Sequence, residues 1–252
     1  MLINFVLLFF FGAFLGSFLN ACIYRFPRDI SLLKPARSFC PHCRKKLSWL
    51  DLLPLFSYIL LLGRCRYCRK PIGLRYFLVE FLSGLLLALL LFSGVTLLNI
   101  LLFCELYLLL GIFFADLETQ IIPDEFSLLG IVLGLSYAFF SRQFSAGLVS
   151  CALAGSLFWL IAKTGRYFYK KEALGGGDIK LVMLLGSFLT PIRILLTLYL
   201  AFVLGSIFAL FLILLKQKSR KDYIPFGPLI VIAGLLVIFL GETLLKVFFP
   251  FI

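Results

Sequence analysis

The chain alternates long apolar runs with short polar breaks, and the first break is much longer than the others. Apolar runs at 2–24, 77–93, 96–115, 126–140, 148–163, 179–190, 193–215 and 225–249 are read as helices that cross a bilayer. Crossing takes about 20 apolar residues at ~1.5 Å of rise each, so the runs at 126–140 and 179–190 are the shortest that qualify. The expectation is an all-α polytopic membrane protein of about eight spans, with a small cytoplasmic domain inserted between the first two. The first run has no basic stretch before it and is long enough to span, so it is read as a retained helix and not a cleaved signal. Gly12 and Gly16 on it form a GxxxG, a pattern that lets helices pack closely. Residues 25–76 are polar and basic. Within them Trp49 to Leu62 is apolar but only 14 residues long and contains Pro54, which suits an interfacial or re-entrant piece. The expected division is a first helix, 1–24; an inserted segment, 25–76; and a membrane domain, 77–252. No internal repeat is visible.

Composition agrees with the pattern. The chain is 62% hydrophobic and 14% charged, with mean hydropathy +1.10, which excludes an ordinary soluble domain. A net charge of +12 raises the question of nucleic acid, but in so apolar a chain basic cytoplasmic loops explain it, and no nucleic-acid partner is expected. Sorting the 24 Lys and Arg by the spans places 21 on one side, in 25–76, 163–180 and 216–221, leaving Arg142, Arg193 and Lys246 opposite. The basic side is then cytoplasmic, and both termini face out.

Two CxxC pairs lie on the basic segment, Cys40 with Cys43 and Cys65 with Cys68, separated by 21 residues. Two such hairpins present four thiolates tetrahedrally to Zn²⁺, and a reducing compartment disfavours disulfides there. A closed four-sulfur site leaves no open position, so the metal is expected to be structural. The alternative use of CxxC is redox chemistry. His42 is the only histidine and lies inside the first CxxC as a surface residue. A Ser-His or Cys-His mechanism therefore has no free histidine, and hydrolysis would fall to carboxylates.

Acids inside a membrane are costly and so are functional candidates. Asp116 closes the span at 96–115, and Asp178 opens the one at 179–190 behind Gly175, Gly176 and Gly177. For the glycine run the plain alternative is a flexible turn with an N-capping aspartate. Two carboxylates brought together share one proton, one acting as base toward water and the other as acid toward a carbonyl. The helix dipole places that proton on Asp116 and leaves Asp178 ionised. Asp124, after Pro123, is read as an N-cap, Glu118 and Glu125 as solvent-facing, and Glu80 and Glu105 as buried helix acids.

These residues together resemble the bacterial type IV prepilin peptidases, bifunctional leader peptidase/N-methyltransferases of the GxGD intramembrane aspartic protease class. The resemblance runs almost end to end. It rests on Gly16-Ser17-Phe18-Leu19-Asn20 with Ile23-Tyr24-Arg25, on Ser38 to Cys43, on Asp51-Leu52-Leu53-Pro54, and on Gly63 to Cys68 with Glu80. Further along, it rests on Asp116 with Ile122-Pro123-Asp124, on Gly175-Gly176-Gly177-Asp178, and on Ile224-Pro225-Phe226-Gly227-Pro228. It implies a multi-pass enzyme of the bacterial inner membrane acting on prepilins and pseudopilins of type IV pili or type II secretion. The implied reaction cuts after a glycine, between a short basic leader and a phenylalanine-led hydrophobic helix, at the cytoplasmic face. It then methylates the new amino terminus with S-adenosylmethionine. By motif, Asp116 and Asp178 are the catalytic residues and Gly175 to Gly177 their supporting loop. One departure is Phe77, where the family usually has proline. No GxGxxG follows a strand, so a Rossmann-type cofactor site is not expected and no residues are assigned to S-adenosylmethionine. The competing readings are a peptidase without methyl transfer and a non-enzymatic zinc-containing scaffold or transporter.

Overall fold

The computed structural model describes residues 2–34, 37–92, 94–169, 174–215 and 225–248. Lys170, Lys171, the basic stretch 216–221, Ala173, Ile224 and residue 249 lie outside the described residues. Each expected span is a helix: α1 (Leu2–Arg25), α3 (Leu74–Phe92), α4 (Leu97–Thr119), α5 (Asp124–Phe140), α6 (Phe144–Tyr169), α7 (Gly176–Phe188), α8 (Pro191–Leu214) and α9 (Gly227–Phe248). A further helix, α2 (Phe56–Leu60), is a single short turn. Among the described residues six helices are long and apolar enough to cross a bilayer. The other two expected spans, α5 and α7, have 17 and 13 residues and fall short of that length.

The chain forms two compact units, residues 1–114 and 115–252. In the first, α1 and α3 pack along their length. The GxxxG is used as expected: a Cβ on Gly12 would lie 2.6 Å from the Ser83 carbonyl oxygen, and one on Gly16 would lie 2.7 Å from Glu80 Cα. Only glycine admits that approach. Tyr107 of α4 donates to the Leu15 carbonyl of α1 at 2.6 Å. Past α1 the chain turns back because buried Arg25 donates to the carbonyls of Ser31, Leu32 and Arg37. The apolar piece 49–62 is a 3-10 turn over Trp49–Leu52 followed by α2. It leaves Trp49, Phe56, Ile59, Leu60 and Leu62 exposed, as an interfacial segment would.

In the second unit α7 is central. It packs against α5, α6, α8 and α9, and Leu181, Val182, Leu184 and Leu185 are wholly buried. Helices that surround α7 supply its apolar contacts, so its brevity does not expose backbone groups to lipid.

Candidate metal centre, cavity and paired acids

The two CxxC segments are built alike. In the first, the Cys40 N–H donates to the Lys45 carbonyl, Arg44 N–H to Cys40, and Leu47 N–H to Ser38. In the second, Cys65 N–H donates to Lys70, Arg69 N–H to Cys65, and Ile72 N–H to Gly63. Antiparallel bridges join Phe39 to Lys46 and Arg64 to Pro71, and Arg44 and Arg69 both turn through positive φ, 55° and 58°. This is an internal repeat that the residues between the cysteines conceal in the sequence. The spacing of backbone bonds repeats, whereas the side chains between the cysteines differ.

The four Sγ atoms of Cys40, Cys43, Cys65 and Cys68 lie within 4.8 Å of one another, with Cys40 and Cys68 at 3.9 Å. Zinc–sulfur bonds of ~2.3 Å in a tetrahedron require sulfurs ~3.8 Å apart, so the donor set fits a structural Zn²⁺. Burial pushes the Cys65 thiol up. The N–H groups of Cys68 and Tyr67 and the thiols of Cys40 and Cys68 outweigh that and bring it down to about 7. A thiol that ionises readily suits metal binding. His42 is exposed and outside the sulfur cluster, as expected. Asp51 joins the apolar turn to the second CxxC segment. It accepts from Ser48 N–H and Oγ at 3.0 and 2.8 Å and from Arg66 Nε at 2.6 Å. Burial raises its pKa, but these bonds outweigh that and hold the carboxyl below its ordinary value.

Beneath this module, within residues 1–114, is a cavity of about 190 Å³. Its walls include the aromatic rings of Tyr24, Phe39, Tyr58 and Tyr76. Three buried polar groups also line it, Asn20 and Arg25 from α1 and Glu80 from α3, 3%, 5% and 9% exposed. Glu80 Oε2 accepts the Leu55 N–H at 2.8 Å, and the Ser17 side chain also bonds its carboxyl. Asn20 Nδ2 donates to the Tyr76 carbonyl at 2.9 Å.

The paired acids lie in the second unit. Asp116 is in the last turn of α4 and Asp178 in the first turn of α7, 4% and 5% exposed. They come near enough that the charge of Asp116 acts on Asp178. Gly175, not Asp178, is the N-cap of α7, and the Asp178 carboxylate reaches back to accept the Gly175 N–H at 3.1 Å. Asp116 Oδ2 is buried against the Gly227 backbone, without a hydrogen bond of good geometry among the described residues. Ile122 packs against the starts of α7 and α9. A Cβ on Gly177 would lie 2.9 Å from Ile122 Cβ, and one on Gly227 would lie 3.2 Å from Ile122 Cδ1 and 2.6 Å from Asp116 Oδ2. Gly176, by contrast, faces open space. Gly175 has an ordinary extended backbone, φ −71°. Two glycines of this site therefore serve close approach, and neither needs a left-handed turn. Asp124 is not an N-cap: Pro123 takes that place, and Asp124 pairs with Lys180 at 2.6 Å. Glu118 and Glu125 are exposed, as expected.

Residues 10–93 match the family described as Bacterial Peptidase A24 N-terminal domain, and residues 100–210 match the Type IV leader peptidase family. A protein of Aeromonas hydrophila called prepilin leader peptidase/N-methyltransferase is 33% identical over 96% of this chain and 92% of its own length. Relatives with the same name in Vibrio cholerae and Klebsiella pneumoniae are 33% and 39% identical, covering 89% and 72% of this chain and 92% and 83% of theirs. The chain belongs to the type IV leader peptidase family. No solved structure matches it.

Several site residues carried no role in the sequence. Ile122, Gly227 and Asp51 were visible only as parts of motifs, because their contacts join residues far apart in the chain. Phe77 packs its ring between Tyr58 and Phe81, with centroids 5.5 and 6.2 Å away, and α3 begins before it at Leu74. Glu105 is wholly buried, and neither of its carboxyl oxygens has a partner among the described residues.

Proposed function

We propose that the protein removes the basic leader of prepilins and pseudopilins, cutting after glycine and before phenylalanine at the cytoplasmic face of the inner membrane, and then methylates the new amino terminus. The relatives' shared name and their alignment over most of the chain support both halves. In this reading all eight expected spans cross the membrane, α5 and α7 as short ones, and the basic segments face the cytoplasm. Functionally the chain divides into a first helix 1–24, a cysteine module 25–76 and a peptidase domain 77–252, a division that differs from its two compact units. The observation that carries the peptidase half is the buried pair of aspartates brought together by the ends of two helices.

The chemistry follows from their surroundings. Asp178 lies at a helix N-terminus and accepts a backbone N–H, which suits it to the role of base. Asp116 lies at a helix C-terminus, and the role of acid falls to it. Asp178 takes a proton from water as the water oxygen bonds to the scissile carbonyl carbon. Asp116 gives its proton to the carbonyl oxygen. The tetrahedral adduct then collapses, the C–N bond breaks, and the leaving amine takes a proton from the pair.

The four cysteines would hold Zn²⁺ and fasten the module, with no catalytic role for a closed site. For S-adenosylmethionine the cavity between the module, α1 and α3 fits. It offers aromatic faces from Tyr24, Phe39 and Tyr58 to a purine and the carboxylates of Asp51 and Glu80 to a cation. The bound donor supplies a methyl group on a positively charged sulfur.

The test is purified protein in lipid nanodiscs, incubated with a prepilin and S-adenosylmethionine and read by mass spectrometry. Loss of the leader and gain of one methyl are expected as separate events. An intact precursor would sink the peptidase reading, and a trimmed but unmethylated product would leave the peptidase alone.

A further inference from the structure

We propose that Glu80 and Asn20 form the seat of the methyl acceptor, the free α-amine of the processed pilin, and that Glu80 takes the proton this amine must lose. The inference rests on the methyl-transfer reading above and adds residues to it.

The two side chains are set as a pair. Gly16 and Ser17 of α1 meet Glu80 of α3. One helical turn further on, about 5.4 Å, Asn20 meets the Tyr76 backbone. Asn20 and Glu80 therefore line one end of the cavity, on facing helices. Tyr76 offers a carbonyl, which can only accept, so the Asn20 amide must present Nδ2 to it and turn Oδ1 away. That Oδ1 is buried with no partner among the described residues. An acceptor left in this way costs about 1–3 kcal/mol. Glu80 takes two neutral donors, the Leu55 N–H and the Ser17 hydroxyl. A carboxylate has roughly four acceptor sites, and no cation pairs with this one among the described residues. This end of the cavity thus holds two acceptors, one of them acidic, with capacity unfilled.

A primary ammonium matches that arrangement, since it carries one positive charge and three N–H donors. A sulfonium carries the charge but no N–H, so it cannot satisfy Asn20 Oδ1. Of the two reacting groups, only the amine can fill these acceptors; the donor's own α-ammonium is the rival occupant, and donor affinity in the variants below tells the two apart. Depth agrees. Glu80 is six residues beyond Leu74, ~9 Å along α3 from its start, and Asn20 is likewise inside α1. The processed substrate begins at the end of a hydrophobic helix, so its amine arrives at the level of a helix end. The donor, a water-soluble nucleoside, enters from the module side, where His42, Arg66 and Lys70 form the polar rim.

The step balances. One ammonium proton passes to the Glu80 carboxylate. The freed nitrogen lone pair forms a bond to the methyl carbon of the sulfonium donor as the carbon–sulfur bond breaks. The bonding pair stays on sulfur, which leaves as a neutral thioether, and the nitrogen becomes a secondary ammonium. Glu80 later returns its proton to water.

Glu80 also braces the module, because its bond holds Leu55 at φ 65°, a conformation worth about 1–3 kcal/mol of strain. Glu80→Gln keeps an acceptor for that N–H and removes only the charge. The test compares a short peptide beginning with the free phenylalanine of a mature pilin with its N-acetylated twin. Binding is measured by calorimetry to the full chain in nanodiscs, with S-adenosylhomocysteine as the probe of the donor site. The parent is expected to bind the free amine at least about tenfold tighter than the acetylated peptide. Glu80→Gln should erase that preference while S-adenosylhomocysteine affinity stays within about twofold. Asn20→Ala, which leaves the Leu55 bond untouched, should reduce the preference about threefold and serves if Glu80→Gln does not fold. A preference that survives both variants would overturn the proposal and leave Glu80 as a brace. Loss of S-adenosylhomocysteine binding with the amine preference kept would overturn it in favour of the donor. A parent that binds S-adenosylhomocysteine but shows no amine preference refutes the amine seat alone. A parent that binds neither probe nor methylates refutes the methyl-transfer reading itself.

Discussion

Residues 25–76 and the bundle around α7 achieve order by different means. The cysteine module has few buried apolar side chains, chiefly Leu55, Cys40 and Cys65. Its shape comes from repeated backbone bonds at the two CxxC turns, from Asp51 bridging to Arg66, and from four converging sulfurs. The α7 bundle has the opposite economy: wholly buried leucines and valines and no metal-ligand cluster among its described residues. The difference shows where each kind of acid can be kept. In the module's cavity Glu80 is anchored by a loop backbone. In the bundle the aspartates rely on helix ends pressed together through Ile122. Disturbing the metal should therefore damage one site and spare the other.

The largest effect expected is on the module. Chelation, or Cys40→Ser or Cys65→Ser, should take the metal from about one Zn²⁺ per chain to near none. It should also release the 25–76 segment, since structural zinc sites carry on the order of 10 kcal/mol of binding free energy that appears as folding free energy. Methyl transfer should fall with it, and prepilin cleavage should persist. Elemental analysis with limited proteolysis and the two product assays checks this. Full metal occupancy in either variant would break the four-sulfur site.

Next in size is the chemistry of the bundle. Asp116→Asn and Asp178→Asn should each slow cleavage by at least about a hundredfold, while a pilin already trimmed is still methylated. The carboxyl infrared band sharpens the assignment. The protonated C=O signal at neutral pH should disappear in Asp116→Asn and remain in Asp178→Asn. Loss of methylation in a folded aspartate variant would mean that the two sites are not separate.

A smaller effect tests the close approach at the helix ends. Gly177→Ala forces a methyl against Ile122 and should destabilise the bundle by about 1–3 kcal/mol, with a matching loss of cleavage. Gly176→Ala, facing open space, should stay within about 0.5 kcal/mol of the parent. Thermal melting followed by circular dichroism distinguishes them, and equal losses would show that the run is a flexible turn.

The smallest effect returns to the module. Asp51 is held below its ordinary pKa. Its stabilising contribution is then fully present above the unfolded value of about 4 and is lost as pH falls through that value toward the folded one. Asp51→Asn should cost about 1–2 kcal/mol at neutral pH, and the gap between parent and variant should close below about pH 4. Trp49 fluorescence, in a Trp159→Phe background, reports the module alone, because the chain has 2 tryptophans. A gap that does not change with pH would remove Asp51 as an ionised bridge.

By itself the sequence determined the helices, the four-cysteine set and the two catalytic candidates. A run of apolar residues is a local property read against a fixed bilayer thickness, CxxC spacing is a local chelate geometry, and an acid beside an apolar run stands out without any partner being known. The eight expected runs are all helices, and the four sulfurs do converge. Only the tertiary structure decided what those residues touch. It distinguished Gly177 from Gly176, moved Asp124 from a cap to an ion pair with Lys180, put Gly227 against Asp116, and set Ile122 on both Gly177 and Gly227. It turned Glu80 from an unexplained helix acid into a cavity residue facing Asn20, from a position far away in the chain. Each of these depends on which helices are neighbours and in what register. That is set by the packing of whole side-chain surfaces, which no local pattern of apolar and polar positions encodes.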